Sequence, residues 1–404
     1  MIAAVPFIMA CNQTGQVNAT LFPASGSENV NPDTHLVLTF SETPVLGDSG
    51  MIRVYDAVTD QVVDSLDLSI PSGPTESRTY GPECDYTKVP YDYTRTVVPT
   101  NKDTRPGTPS GTAEPTPPVY QLTIIGGFTD AFHFYPVIVR DSIATIYLHN
   151  NMLEYGHTYY VTIDNGVLNL ADGSFQGVTK EDEWIFTTKS DMPELSDTLI
   201  VDATGKGDFN TVQGALDFIP DFNEQQTVIL VNPGDYEELV YTRNKWNVKI
   251  KGAGMADTKV HYANNEVFNP HPLTVKTNEW PGTFPSRRAA FMLDNCKDIV
   301  IEDMTIATDL KGQAEGLLIN GERIALYRVH IIGSGDALQA NGTIYMESCE
   351  LDGGGDTILG RGSLFAYKSN FRNGGGPFSW VRNTAGNHGN VFVECTFSTE
   401  DGKQ

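Results

Sequence analysis

Two aspartates lie 20 residues apart near the C-terminal end of the chain, in short glycine-containing segments that match each other. Residues 333–338 read Gly-Ser-Gly-Asp-Ala-Leu, and residues 355–360 read Gly-Asp-Thr-Ile-Leu-Gly. Asp336 and Asp356 each follow a strand-like segment, five residues past its last apolar residue. If 20 residues form one coil of a solenoid, the two carboxylates lie on neighbouring coils, about 4.8 Å apart.

Two carboxylates at that separation cannot both ionise easily. Unit charges about 5 Å apart repel by about 3 kcal/mol at an effective dielectric of about 20, which is about two pK units. One carboxylate stays ionised and can attack an ester carbonyl, while its neutral partner can protonate the leaving group. Gln313, 23 residues before Asp336, offers a neutral amide for the oxyanion. A purely structural interpretation as turn residues explains Asp352 and Asp401 well, but explains the matched pair poorly.

A repeated strand pattern supports the solenoid. Five segments end on an apolar residue, and these ends are spaced 25, 20, 20 and 26 residues apart. Short strands at a period near 20, separated by Gly, Asn and Asp turns, indicate a parallel β-helix. An antiparallel sandwich is the alternative, but its hairpins favour more closely spaced turn signals. The segments are 299–306, 324–331, 344–351, 364–371 and 390–397.

A helix is predicted ahead of this array. Residues 208–219 carry apolar side chains at positions 212, 215, 216 and 219, which is the period of an amphipathic helix. Asn210 followed by Gln213 predicts a capping box at its start. We expect this helix to cover the open end of the β-helix, where unpaired strand edges would otherwise be exposed.

From about residue 199 onward, six motifs follow one another at residues 201–216, 233–238, 251–254, 313–317, 333–338 and 355–360. In these motifs and their order, the chain resembles the pectin methylesterases. The resemblance implies an all-β fold with a right-handed parallel β-helix, and hydrolysis of the C6 methyl esters of polygalacturonate with release of methanol. It implies methylated homogalacturonan (pectin) as substrate, with no metal and no cofactor. It further implies that Asp356 is the nucleophile, Asp336 the general acid/base and Gln313 the oxyanion-stabilising amide.

The sequence departs from the family pattern at two places. Ser334 and Gly335 stand where the family has Tyr-Gln, so we expect the Gly335 backbone N–H or the Gln339 amide to replace that second oxyanion donor. The family's Gly-Arg-Pro-Trp segment, whose arginine keeps the nucleophile ionised, is not reached before Gln404. Either the β-helix is incomplete at its C-terminal end, which we favour, or Arg361 or Arg382 takes over that pairing.

Two other functions fit parts of the sequence. A β-helical pectate lyase-type enzyme would need a calcium-binding carboxylate cluster and a basic residue for proton abstraction, whereas the acidic pair here stands by itself. A non-catalytic surface carbohydrate-binding β-helix protein is the alternative from another functional class, and the missing Arg-Pro-Trp segment favours it.

The N-terminal half reads as a second β domain. Alternating segments separated by turn signals predict a β-sandwich over residues 19–190, and their order resembles bacterial immunoglobulin-like modules. A Pro- and Thr-rich insertion occupies residues 71–118, and residues 191–198 form a linker to the β-helix of residues 199–404. The predicted strands are residues 36–41, 51–55, 144–148, 158–163 and 183–188.

The first residues point to an extracytoplasmic protein. Residues 1–10 are apolar and run into Cys11, and residues 8–11 (Ile-Met-Ala-Cys) resemble a lipoprotein cleavage box. We therefore expect residues 1–18 to be a signal remnant and tether with a lipid on Cys11. No positively charged segment precedes the apolar run, so the natural start is expected further upstream. The alternative is a buried N-terminal strand. The expected location is the cell surface, the periplasm or the medium, with a lipid anchor as the sole membrane contact.

Charge and cysteine content restrict the partners. Lys and Arg number 27 against 51 Asp and Glu, a net charge of −24, which argues against nucleic acid and anionic membrane surfaces. The same charge disfavours fully de-esterified pectin. The five cysteines do not suggest a disulfide framework, and no Cys/His spacing is typical of a metal site. We expect a monomer.

Overall fold

The computed structural model describes residues 17–75, 120–128, 132–195, 197–269, 286–381, 383 and 388–399. These residues form 31 strands and one short helix. None of their helices is long and apolar enough to cross a membrane. Cys11, Arg382 and residues 76–119, which include most of the predicted insertion, lie outside the described residues.

The N-terminal strands form two facing sheets. One has the order β1-β3-β10-β9, and the other has the order β2-β13-β11-β5-β6. Alternate residues along each strand point into a shared core around the fully buried Trp184, as in β5, where Ile52 and Val54 are buried. The predicted sandwich is therefore present, and its immunoglobulin-like identity stays a prediction. The strands are β1 (Thr20–Phe22), β2 (Ser27–Val30), β3 (Leu36–Thr39), β4 (Val45–Leu46), β5 (Met51–Asp56), β6 (Gln61–Asp67), β7 (Leu122–Thr123), β8 (Phe132–His133), β9 (Val137–Arg140), β10 (Ile143–Ile146), β11 (Thr158–Ile163), β12 (Leu168–Asn169) and β13 (Ile185–Thr188).

The C-terminal strands stack in parallel, coil upon coil, in one 18-stranded sheet that winds around a common core. This arrangement confirms the predicted all-β class and the parallel β-helix. The strands are β14 (Thr198–Val201), β15 (Thr227–Val231), β16 (Gly234–Glu237), β17 (Val240–Arg243), β18 (Trp246–Lys251), β19 (Thr258–Tyr262), β20 (Phe291–Thr308), β21 (Glu315–Glu322), β22 (Ile324–Ile332), β23 (Asp336–Ala340), β24 (Thr343–Glu347), β25 (Glu350–Gly353), β26 (Ile358–Gly360), β27 (Ser363–Tyr367), β28 (Asn370–Asn373), β29 (Ser379–Val381), β30 (Asn390–Val393) and β31 (Thr396–Thr399).

Each coil of the β-helix contributes to three faces. The repeated segments predicted from sequence form the first face, which includes β18, β24 and β27, and the second face, which includes β19, β25 and β28. The third face was not predicted. It consists of β17, the start of β20, β21, β23, β26 and β29. Asp336 and Asp356 lie where the chain enters this third face.

The predicted helix is present as α1 (Val212–Phe218), and its buried side chains join the core of the β-helix. The predicted capping box is wrong. Thr211 is the N-cap, and its hydroxyl accepts a hydrogen bond from the Gly214 N–H. Asn210 cannot cap the helix because its side-chain oxygen accepts from Asn31 of the sandwich domain. The Asp33 carboxylate instead accepts the Thr211 N–H at 2.8 Å, so a tertiary contact replaces the local one.

The sandwich domain packs on the outer side of the third face. Ile125, Phe128 and Phe132 share an apolar cluster with Tyr241 and Leu318 of the β-helix. Gly126 lies so close to β17 that a Cβ placed on it would come 1.6 Å from the Tyr241 carbonyl oxygen. The backbone of the two domains therefore meets without space for a side chain.

This contact makes Gly126→Ala a test of the domain interface. Gly126 has a φ of 62°, a conformation that costs an L-residue about 1–2 kcal/mol. Gly173 has a φ of +67° and nothing within 4 Å of its Cβ position, so Gly173→Ala is the matched control. We expect Gly126→Ala to lower the free energy of unfolding by about 1–3 kcal/mol more than the control does, because relieving the clash requires the backbone to move. Urea unfolding of both variants measures this, and equal losses would contradict the close contact.

Candidate active site

Asp336 and Asp356 lie on adjacent coils. β23, which begins at Asp336, and β26, which begins two residues after Asp356, pair in register, with Leu338 opposite Ile358. The Asp356 backbone N–H donates to Asp336 Oδ1 at 3.0 Å. Both aspartates are buried, with exposed fractions of 7% and 8%. The structure therefore places the two aspartates that the sequence singled out on adjacent coils, with the Asp356 backbone in contact with the Asp336 carboxylate.

A guanidinium group lies at the centre of the site. Arg288 Nη2 donates to Asp336 Oδ2 at 3.0 Å, and Arg288 Nε donates to the two carboxylate oxygens of Glu315 at 2.7 and 2.9 Å. Arg288 Nη1 donates to Glu266 at 3.2 Å and to the side-chain oxygen of Gln313. One cation thus contacts three carboxylates and the candidate oxyanion amide.

Glu315 is the most deeply buried of these carboxylates. It is fully buried and pairs with Asp336 in the register of β21 and β23. Burial raises the pKa of Glu315, and Arg288 opposes that rise, while the charge on Asp336 adds to it. For Arg288, the carboxylates outweigh burial and raise the pKa of the guanidinium above its ordinary value. Arg288 therefore stays charged within the cluster.

Gln313 and Gly335 occupy the same corner of consecutive coils. The Gln313 backbone is so near that a Cβ on Gly335 would come 2.9 Å from its Cα, and 2.7 Å from the Gly312 oxygen. No side chain fits at position 335 without moving the corner. The Gly335 N–H, considered above as an oxyanion donor, already donates to the Ala314 carbonyl at 3.2 Å. Gln313 is exposed at the edge of the site.

The remaining predicted residues lie further along the third face. Gln339 is 7% exposed, and its side-chain oxygen has no hydrogen-bond partner among the described residues. Gln339 is aligned with Leu359 and Trp380 on the next two coils, and Trp380 is 54% exposed.

The two candidate arginines have different outcomes. Arg361 directly follows β26, whereas Asp356 precedes that strand, and Arg361 lines a groove with Arg323. Arg382 lies outside the described residues.

Sequence reasoning missed Arg288 and Glu315. Glu315 begins β21, and Arg288 lies three residues before β20. Both enter the third face, which was not recognised because its strands are less regular than the repeated segments. Glu315 stands inside the motif at residues 313–317, two residues after Gln313. An arginine pair at residues 287–288 directly precedes the apolar run of residues 289–293. A search for charged side chains at or just before each strand of every coil would have found both residues.

One cluster elsewhere has metal-ligand side chains. Among the described residues, Glu237, His261 and Asp309 can bring ligand atoms within 4.8 Å of one another. Arg140 of the sandwich domain already pairs with Glu237 and lies 3.7 Å from Asp309. A guanidinium therefore occupies the position that a metal ion would need, and the cluster is an ion-pair contact between the two domains.

Comparison with known proteins gives consistent results. Residues 198–373 match the family model described as Pectinesterase. Pectinesterase QRT1 of Arabidopsis thaliana is 28% identical over 194 residues, which are 45% of this chain and 50% of that protein. Pectinesterase 31 of the same plant is 29% identical over 165 residues, 40% of this chain and 51% of that protein. The chain thus spans about half the length of these curated relatives. The solved pectin methylesterase from carrot has a TM-score of 0.44 and 19% identity, covering 52% of this chain and 66% of that chain.

Proposed function

We propose that the protein removes methyl esters from the galacturonate units of pectin, because residues 198–373 match the Pectinesterase family model. The observation that carries the proposal is the buried pair of aspartates on adjacent coils, joined by the 3.0 Å hydrogen bond from the Asp356 N–H to Asp336. A pair of carboxyl groups in one low-dielectric site separates into an ionised and a neutral member.

In the proposed reaction, the Asp356 carboxylate attacks the ester carbonyl carbon, and the Gln313 amide stabilises the oxyanion that forms. The carbon–oxygen bond to methoxide then breaks, and Asp336 donates its proton to give methanol. Asp336 next removes a proton from water, whose oxygen attacks the acyl-enzyme. Cleavage of the bond to Asp356 releases the galacturonic acid, which loses its proton to solvent, and leaves Asp356 ionised and Asp336 protonated as at the start. Every step uses only side chains of this chain and one water molecule.

One row of aligned residues on the third face runs over successive coils from Tyr241 through the buried Leu318, Gln339 and Leu359 to the exposed Trp380. The sandwich domain covers this row at Tyr241 and Leu318, whereas Leu359 and Trp380 continue it beyond the aspartates. The exposed Trp380 indole offers a flat apolar surface of the kind on which sugar rings stack. We propose that methylated homogalacturonan, whose esterified units are neutral, lies along this row. An extracytoplasmic location with a lipid on Cys11 suits such a substrate and remains part of the proposal.

The deciding experiment incubates the purified full chain with highly methylated pectin and measures methanol. We expect methanol release without formation of unsaturated sugar ends. Unsaturated ends would indicate a lyase, and binding without either product would indicate a carbohydrate-binding protein. Either result would overturn the proposed esterase.

A further inference from the structure

We propose that Arg288 and Glu315 form a positioning pair that fixes the Asp336 carboxylate and sets the pH range over which Asp336 exchanges its proton. This inference rests on the proposed esterase function. It concerns two residues from different coils. Arg288 lies three residues before β20, Glu315 begins β21, and both meet the next coil, where Asp336 begins β23.

The geometry leaves Asp336 with one orientation. Its Oδ2 accepts from Arg288 Nη2 at 3.0 Å, and its Oδ1 accepts from the Asp356 N–H at 3.0 Å. Arg288 is in turn fixed by Glu315, which contacts Nε and lies 2.6 Å from Nη2. Because the Arg288 fork is planar, its orientation determines where Asp336 lies.

The same guanidinium also orients the candidate oxyanion amide. Arg288 Nη1 donates to Gln313 Oε1, so the Gln313 NH₂ group must point away from the guanidinium. Next to Arg288, the Arg287 guanidinium lies over the rings of Phe128 and Phe132 of the sandwich domain, 4.7 and 5.3 Å from their centroids. The sandwich domain therefore supports the segment that carries the positioning pair.

Burial makes these charges act strongly on Asp336. The side chains of Arg288, Glu315 and Asp336 are 14%, 0% and 11% exposed, so water screens them weakly. Asp336 contacts the cation of Arg288 and the backbone N–H of Asp356 on the next coil, and it lies beside Glu315; Arg288 also binds Glu266. The cation favours ionised Asp336, whereas the neighbouring carboxyl groups favour its protonated form. The balance, and not Asp356 by itself, sets when Asp336 carries a proton.

The test is the pH profile of kcat/KM for pectin demethylation in Arg288→Gln and Glu315→Gln. Asp336 must be protonated to release methanol, so the alkaline limb reports loss of its proton. Without the guanidinium, Asp336 keeps its proton to higher pH. We therefore expect the alkaline limb of the Arg288→Gln profile to shift to higher pH by about one pH unit or more. In Glu315→Gln, a charge that favours protonated Asp336 is removed, so we expect the alkaline limb to shift to lower pH. Opposite shifts in the two variants are the signature of the pair.

Positioning has a second readout. We expect Arg288→Gln to lower kcat by about 10- to 100-fold with a smaller change in KM, because substrate contacts remain while the reacting groups lose their alignment. Arg288→Lys keeps the charge, so its limb stays near that of the wild type even where kcat falls. Arg328→Gln, which removes an exposed arginine paired with Asp303, is the control with an unchanged profile.

The outcomes separate this inference from the proposed function. If the wild-type chain releases no methanol, the esterase proposal itself fails. If the wild type is active and the limb of Glu315→Gln stays in place, or moves in the same direction as that of Arg288→Gln, the positioning pair is overturned. Should Arg288→Gln not fold, as judged by thermal unfolding, Arg288→Lys and Glu315→Gln still decide the question.

Discussion

If the proposed reaction is right, replacing Asp356 by Asn reduces methanol release from methylated pectin by about 10³-fold or more, as loss of the nucleophile does in acyl-transfer enzymes. The amide has nearly the shape of the carboxylate but cannot form the acyl intermediate. The hydrogen bond from residue 356 to Asp336 uses the backbone N–H, so the variant keeps this contact. Initial rates of methanol formation, measured with the same protein concentration, give the ratio.

Asp352→Asn is the matched control for this experiment. Asp352 lies four residues earlier in the same coil, and its carboxylate pairs with Arg372 and His330 on the outside of the β-helix. We expect its activity to stay within about threefold of the wild type, because neither partner contacts the two aspartates. If Asp356→Asn retains activity within about tenfold of the wild type, Asp356 is not the nucleophile. Unfolding curves of both variants confirm that each is folded.

Replacing Asp294 by Ala is expected to lower the free energy of unfolding by about 3–5 kcal/mol. Asp294 and Arg243 form an ion pair on adjacent coils whose side chains are 0% and 3% exposed. Arg243 Nε donates to Asp294 Oδ2 at 2.7 Å. Removing the carboxylate leaves a buried guanidinium without its counter-charge, and that uncompensated charge is the source of the loss.

The pair is also the start of a polar ladder along the coils. Asn320 donates to Asp294 at 3.1 Å, and Asn341 donates to Asn320 at 2.9 Å. Asp294→Ala therefore removes an acceptor from the ladder as well as the counter-charge. Urea unfolding measures the loss. For comparison, Asp352→Ala removes a partner of Arg372, whose side chain is 55% exposed, and is expected to cost about 1 kcal/mol or less.

The double variant Arg243→Met with Asp294→Leu checks the explanation. Two apolar side chains of similar volume need no counter-charge, so we expect the double variant to recover most of the stability that Asp294→Ala loses. A double variant as unstable as the single one would show that the ladder, and not the unpaired charge, carries the effect.

Local pattern in the sequence was enough to predict much of the β-helix. The apolar residues that end the repeated segments, such as Ile331, Leu351 and Phe371, recur with each coil and are buried in one core. Asp336 and Asp356 could be paired from their spacing. Each coil advances along the β-helix axis by one inter-strand distance and returns the chain to the same corner. The amphipathic period of residues 212–219 likewise marked the capping helix.

The capping of α1 and the electrostatics of the site could not be predicted from local sequence, because they depend on contacts between distant residues. Asp33 lies 178 residues from Thr211, whose N–H it accepts, and no local rule connects them. Arg288 is 48 residues from Asp336 along the chain. Their contact depends on how the coils stack, and the loops between the coils differ in length.

The sequence by itself thus determined the coil, the repeated strands of two of its three faces and the spacing of the two aspartates, since each follows from a short period repeated along the chain. Only the tertiary structure decided which cation faces Asp336, which carboxylate is buried beside it and where the sandwich domain lies. Charges act through space and burial, and both are set by packing between coils and domains.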